Sequence, residues 1–198
     1  MDANPFDHST YLLRGHFFKP SFRIYDPTGT LALFASLNKS KLNEGIAFYP
    51  DESKSNELFR IKARNIADFI FDIFDVFDPA TNEKIGAFKQ RGFKSILENE
   101  WIIIDAADNE IGIIQEDSRM RPTLRGSLFR LFILGPQSFH GDVGGTSVLR
   151  FNKHLIPFVT KIDLDFTNDF GNLLDRRLGI AAAVLLFEID DWRELVRA

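Results

Sequence analysis

Along most of the chain, apolar residues come in short alternating or continuous runs broken by Asp, Asn, Pro and Gly, the pattern of strands joined by turns. Three stretches repeat one design: FRIYDPTGTLALFASL from residue 22, FDVFDPATNEKIGAFK from residue 74 and WIIIDAADNEIGIIQED from residue 101. In the first, Asp26 at the opening position, Pro27 with its φ preset and Gly29 at the fourth position suit a type I turn. Asp78 and Pro79 stand in the same places in the second copy. Each copy therefore predicts one β-hairpin, and the repeat is a meander of like units rather than a solenoid. Further strands are predicted at 11–18, 46–49, 57–64, 127–134, 147–151 and 155–166, giving about twelve with the hairpins. That number calls for closure or for two packed sheets, because a long open sheet leaves edges to protect.

One segment departs from this pattern. Residues 172–190, NLLDRRLGIAAAVLLFEID, carry no turn signal and predict a helix, with Asn172 as its cap and Asp175 early in it. From Leu178 to Phe187 every residue is apolar or Gly, so the helix must be surrounded on all faces. Ten residues of helix span roughly 15 Å, half of what a bilayer core needs, so the surround is protein. A barrel of about twelve strands is wide enough to hold a helix, and Gly179 with Ala181, Ala182 and Ala183 keeps that helix slim. The predicted fold is a mainly β, closed barrel around a buried hydrophobic C-terminal helix, in one domain whose residues 1–10 form a loose leading segment. A sandwich with an appended helix is the other arrangement, and it leaves the all-round apolarity without a cause.

Composition fits a thick, dry core: 198 residues, 44% hydrophobic, with 21 Phe against 3 Tyr and 2 Trp. The chain has no Cys, which excludes disulfides, thiolate zinc sites and Cys nucleophiles. Its first residues hold acids and no basic stretch before the apolar ones, unlike a secretory signal. A cytoplasmic protein, peripheral at the membrane, is the expectation. The net charge of −4 argues against a surface built for nucleic acid. Residues 119–161, however, carry seven basic side chains and one acidic. Within them RMRPTLRGSLFR places Arg119, Arg121, Arg125 and Arg130 together without an acid, and guanidinium forks bind phosphate groups well. These four form the candidate headgroup-binding site, beside the alternative of a solvated loop, and Lys84, Lys89, Arg91 and Lys94 share their face if the strands are adjacent.

Signs of catalysis are sparse. His8, His16, His140 and His154 show no metal-binding spacing, HGDVGGTS at 140–147 lacks the Lys of a phosphate loop and reads as a flexible loop, and no Ser sits in a Gly-x-Ser-x-Gly elbow. Asp163, Asp165 and Asp169 in IDLDFTNDFGNLLD do not fall at calcium-loop positions, since Asn168 and Leu174 stand where the loop needs Gly and a bidentate acid. Asp163 and Asp165 read instead as the solvent face of a strand. No enzyme activity, metal or cofactor is expected.

The paired hairpins FDVFDPATNEKIGAF and WIIIDAADNEIGII, with the terminal LLDRRLGIAAAVLLFEIDD, resemble the LURP-one-related and phospholipid scramblase-like proteins of the tubby C-terminal-like superfamily, over residues 22–191. The resemblance implies a twelve-stranded barrel around a buried C-terminal helix. It also implies a class of role, since tubby proteins bind phosphoinositides and calcium-dependent lipid movement is ascribed to scramblases. The Pro-rich arm and acylated Cys cluster of membrane-bound scramblase-like proteins have no counterpart here. The functional expectation is a non-catalytic binding module for anionic phospholipid headgroups or a protein partner. A barrel whose rim binds or transforms a small molecule is the alternative.

Overall fold

The structure, a computed structural model, describes residues 4–16, 19–37, 45–64, 73–90, 100–117, 137–156 and 159–197. Twelve strands form one antiparallel ring: β1 (Thr10–His16), β2 (Lys19–Tyr25), β3 (Leu31–Leu37), β4 (Ile46–Tyr49), β5 (Phe59–Ala63), β6 (Ile73–Asp78), β7 (Glu83–Gln90), β8 (Glu100–Ile104), β9 (Glu110–Glu116), β10 (Gln137–Val143), β11 (Thr146–Ile156) and β12 (Val159–Asp165). Each strand pairs with its sequence neighbours, and β1 pairs with β12 from Thr10 opposite Asp165 to His16 opposite Val159. Closure leaves no edge strand among the described residues, the feature that most invites pairing with another chain. The helix α1 (Arg176–Arg197) follows β12.

The three repeated stretches are three hairpins built alike. In the first, the Asp26 carboxylate accepts from the N–H groups of Thr28 (2.8 Å) and Thr30 (2.9 Å), and Gly29 N–H donates to the Asp26 carbonyl. Asp105 repeats this with Ala107 and Asn109, and Asp78 with Ala80. A left-handed residue, Gly29, Asn82 or Asp108, then returns each chain to its ladder. A register shift follows beside every turn, at Ile24/Tyr25, Val76/Phe77 and Ile103/Ile104. Such bulges add the twist and bend that a closing sheet requires.

Alternation along the strands sends one set of side chains into the ring. Leu13, Ile24, Leu33, Phe48, Phe59, Ile61, Phe74, Val76, Phe151 and Ile162 are all fully buried. Rings pack on rings: Phe48 stacks on Phe59 at 4.1 Å and Phe139 on Phe151 at 4.8 Å. Leu178 and residues 180–185 of α1 are buried on every side. The helix touches β5, β7 and β12, which lie on opposite sides of the ring, so it fills the lumen. Two glycines let it fit: a Cβ on Gly179 would run into the Phe166 ring, and one on Gly86 would lie 2.8 Å from Leu178.

The structure corrects two expectations of detail. Residues 140–147, read as a flexible loop, hold the end of β10 and a two-residue hairpin. Gly144 and Gly145 there have φ of 58° and 83°, the paired positive angles that favour a tight reversal. The predicted strand at 127–134 lies outside the described residues, and β10 is the twelfth member of the ring. The helix begins at Arg176 rather than at residue 172, because Asp175 is its cap, accepting from Arg177 N–H at 2.9 Å. Asn172 instead sits in a left-handed turn, φ 48°. As predicted, Asp163 and Asp165 alternate with buried Ile162 and Leu164 along β12.

Gly179→Val is expected to destabilise the fold by about 1–3 kcal/mol through overpacking, and Phe166→Leu in the same chain should restore part of that loss. Urea denaturation of the single and double variants measures both, and an unchanged midpoint for Gly179→Val contradicts this packing.

Candidate functional site

The end of the barrel where α1 begins, here called the top, is organised by one buried carboxylate. After β12 the chain descends through Phe166, turns at 167–174 and enters the lumen as α1. Asp169 has no exposed side-chain surface and accepts from Leu173 N–H (2.7 Å), Leu174 N–H (3.3 Å) and Arg176 Nη1 (2.6 Å). Arg176 also donates to Asn172 Oδ1 at 3.1 Å, and its guanidinium lies 4.5 Å from the centre of the Phe166 ring. Arg176 and Arg177 occupy the positive pole of the helix, an unfavourable place for cations. Asp169 and Asp175 offset that cost, with Arg177 Nη2 held 2.7 Å from Asp175.

Residues 4–9 cross the same mouth. Phe6 packs edge-on against Phe59 at 5.9 Å, the Tyr11 hydroxyl donates to the Pro5 carbonyl at 2.9 Å, and Phe166 N–H donates to the Ser9 carbonyl at 2.7 Å. Between this strap and the start of α1 lies an open cleft of about 610 Å³, lined among others by Asp7, His8, Asn172, Asp175, Arg176 and Arg177. Its volume suits a small molecule. Its two arginines are already engaged, Arg176 by Asp169 at 2.6 Å and Arg177 by Asp175 at 2.7 Å, and Asp7 accepts from Asn4 at 2.8 Å. Beside it Phe170 stands 92% exposed at the tip of the Asp169 turn.

Charge is distributed unequally between the two ends. The top comprises residues 4–9, 26–30, 50–58, 78–83, 105–110, 142–147 and 165–177, which carry fourteen carboxylates against three Lys or Arg; with Arg23, Arg60, Lys84 and Lys89 of the adjoining strands, which pair with Glu52, Glu57, Asp108 and Glu110, the net is −7. The whole chain is −4, so the remainder is +3. Arg119, Arg121, Arg125 and Arg130 lie outside the described residues, in the connection between β9 and β10. Glu116 pairs with Phe139, and Asp117 N–H donates to the Ser138 carbonyl, so this connection leaves and rejoins the ring at the bottom, opposite the acidic top. Arg91 and Lys94 also lie outside the described residues, between β7 and β8. Lys84 and Lys89 belong to β7 and are matched by acids, Lys84 by Asp108 at 2.5 Å and Lys89 by Glu110 at 3.5 Å. They do not add free charge to a basic face.

The corner built by Asp169, Arg176 and Phe166 was missed in the sequence. Asp169 looks like one more loop acid there, and only its two backbone donors distinguish it. His140 and His154, read as structural or surface residues, each meet a carboxylate on the outer wall, Asp117 at 2.7 Å and Asp163 at 2.6 Å.

Asp169→Ala leaves Arg176 and two backbone donors without their partner, and should cost about 3–5 kcal/mol by denaturant unfolding. Burial pushes the Tyr11 hydroxyl up to about 12. An unfolded chain loses that proton near pH 10 whereas the folded one retains it, so stability should fall from about pH 10 to about pH 12. Tyr11→Phe should remove this part of the alkaline loss, and tyrosinate absorbance should show one of the three tyrosines titrating late.

No family model matches the chain, and no curated protein matches it. Among solved structures, the chain is similar to a protein of Arabidopsis thaliana determined by X-ray crystallography, with 13% sequence identity and a TM-score of 0.53. The likeness covers 94% of this chain and 96% of that one. At that identity it shows a likeness of fold alone.

Proposed function

We propose that the protein is a non-catalytic binding module that docks on anionic phospholipid headgroups through the bottom of its barrel, with Arg119, Arg121, Arg125 and Arg130 as the principal cations. The observation that carries this reading is the separation of charge. A negatively charged surface repels a top of net −7 and attracts the opposite end, where the strands flanking the arginine segment open. Guanidinium groups match phosphate oxygens in bidentate fashion, which a scattered positive charge does not. The resemblance of the hairpins and terminal helix to LURP-one-related and scramblase-like proteins supports the same reading. Among the described residues no helix is long and apolar enough to cross a membrane. Contact of this kind is therefore electrostatic and reversible, and it does not require insertion.

Flotation with vesicles that contain phosphatidylserine, compared with vesicles of phosphatidylcholine alone, tests the proposal. Binding should be confined to the anionic vesicles, weaken as salt shortens the Debye length below about 10 Å, and be lost in Arg121→Glu with Arg125→Glu. Equal binding to neutral vesicles, or indifference to salt, would refute it.

A further inference from the structure

The outer wall holds an arrangement of charge that the requirements of folding do not explain. Arg14 of β1 stands in register between two other cations, directly opposite Lys161 of β12 on one side and Arg23 of β2 on the other. Its neighbours along β1, Leu13 and Gly15, are buried, whereas Arg14 is exposed, so the row lies on the outside of the ring. His154 of β11 continues the row opposite Lys161. Directly opposed like charges destabilise an antiparallel pair. Acids oppose one another at Asp78 and Glu83, where β6 turns into β7, whereas Arg150 faces Asp165 and Lys62 faces Asp75.

The outer two cations of the row have carboxylates of their own. Arg23 makes a two-point contact with Glu52 at 2.6 and 3.0 Å, and Lys161 lies 3.5 Å from Asp163, which also holds His154. Arg14 has none among the described residues and rests over the Tyr25 ring at 5.5 Å. Stacking on a ring orients the guanidinium plane while leaving its edge donors unused. Neighbouring strands are about 4.8 Å apart, so three side chains of this length reach a common point above Arg14. A tetrahedral anion at that point would take up the Arg14 donors that no described protein group uses and offset the one cation of the three that has no carboxylate.

We propose that Arg14, Lys161 and Arg23, with Tyr25 as the platform for Arg14, form a binding site for a phosphate-bearing ligand on the barrel wall. The site is separate from Arg119–Arg130. The ligand is a phosphomonoester or diphosphate group, carried either by a soluble metabolite or by a lipid headgroup.

Thermal unfolding in sodium pyrophosphate, against sodium chloride of the same ionic strength, is the test. The native chain should melt at a higher temperature in pyrophosphate. Arg14→Gln should lose that increment while melting no lower than the native chain in chloride, because it removes two like-charge oppositions. Lys161→Gln should reduce the increment, and Arg150→Gln, an exposed cation of β11 outside the row, should keep it. No increment in the native chain, an increment that survives Arg14→Gln, or an equal loss in Arg150→Gln would each overturn the assignment. Arg121→Glu with Arg125→Glu should leave the increment intact, which separates this site from the proposed vesicle contact. Vesicles bearing phosphatidic acid then identify the source of the phosphate. Binding weakened about tenfold by Arg14→Gln indicates a lipid headgroup, and binding unchanged by it while the pyrophosphate increment is lost indicates a soluble ligand.

Discussion

The ring of twelve strands depends on what fills it. A barrel of this size encloses more space than its own inward side chains occupy, and an unfilled interior of that kind forfeits dispersion contacts on every wall. Here the filling is a helix whose buried stretch, Leu178 to Leu185, contains small and branched apolar residues and no polar side chain. The fit is close on both sides. Gly179 yields to Phe166 and Gly86 yields to Leu178, so ring and helix specify one another. Because the strands close through β1 and β12 and the helix follows β12 directly, the turn from wall to lumen is the mechanically constrained point of the chain.

That turn explains the buried acid. Two arginines at the positive pole of a helix would oppose its formation, yet Arg176 reaches Asp169 and lies over Phe166, and Arg177 reaches the cap residue Asp175. The corner thus ties the last strand, the reversing loop and the first turn of the helix into one hydrogen-bonded unit. The leading strap lies over the same unit through Ser9 and Tyr11, so both ends of the ring's closure are held at the top.

Much of this was legible in the sequence because the governing signals are local. The Asp-led turns needed only the residues around Asp26, Asp78 and Asp105, and the enclosed helix needed only the all-round apolarity of residues 178–187 and the shortness of that stretch. Features that depend on non-local geometry were not legible. Gly144 and Gly145 mark a loop or a tight hairpin equally well until the flanking strands are paired. Asp175 outcompetes Asn172 as the cap because Asn172 is drawn into the turn that Asp169 organises. The like-charged row at Arg14 appears only in the register of β12, β1 and β2, residues far apart in the chain. The asymmetry of the ends is of the same kind: its acids are scattered from Asp7 to Asp175, and only the up-and-down topology gathers them.

The charge asymmetry and the fold have one origin. In an up-and-down ring the Asp-led turns all fall at one end, because alternate connections do. A top dense in carboxylates follows from the same turn chemistry that sets the hairpins, and it leaves the bottom and the wall free to carry cations. Native-state hydrogen exchange at residues 178–185 tests most directly whether the helix is the filling on which the ring depends. Amides of this stretch should exchange only through global unfolding, with the same protection and the same denaturant dependence as Ile24, Phe74 and Phe151 in the strands. Exchange of the helix at a lower free energy while the strands remain protected would show that the ring stands without it, and would contradict the account.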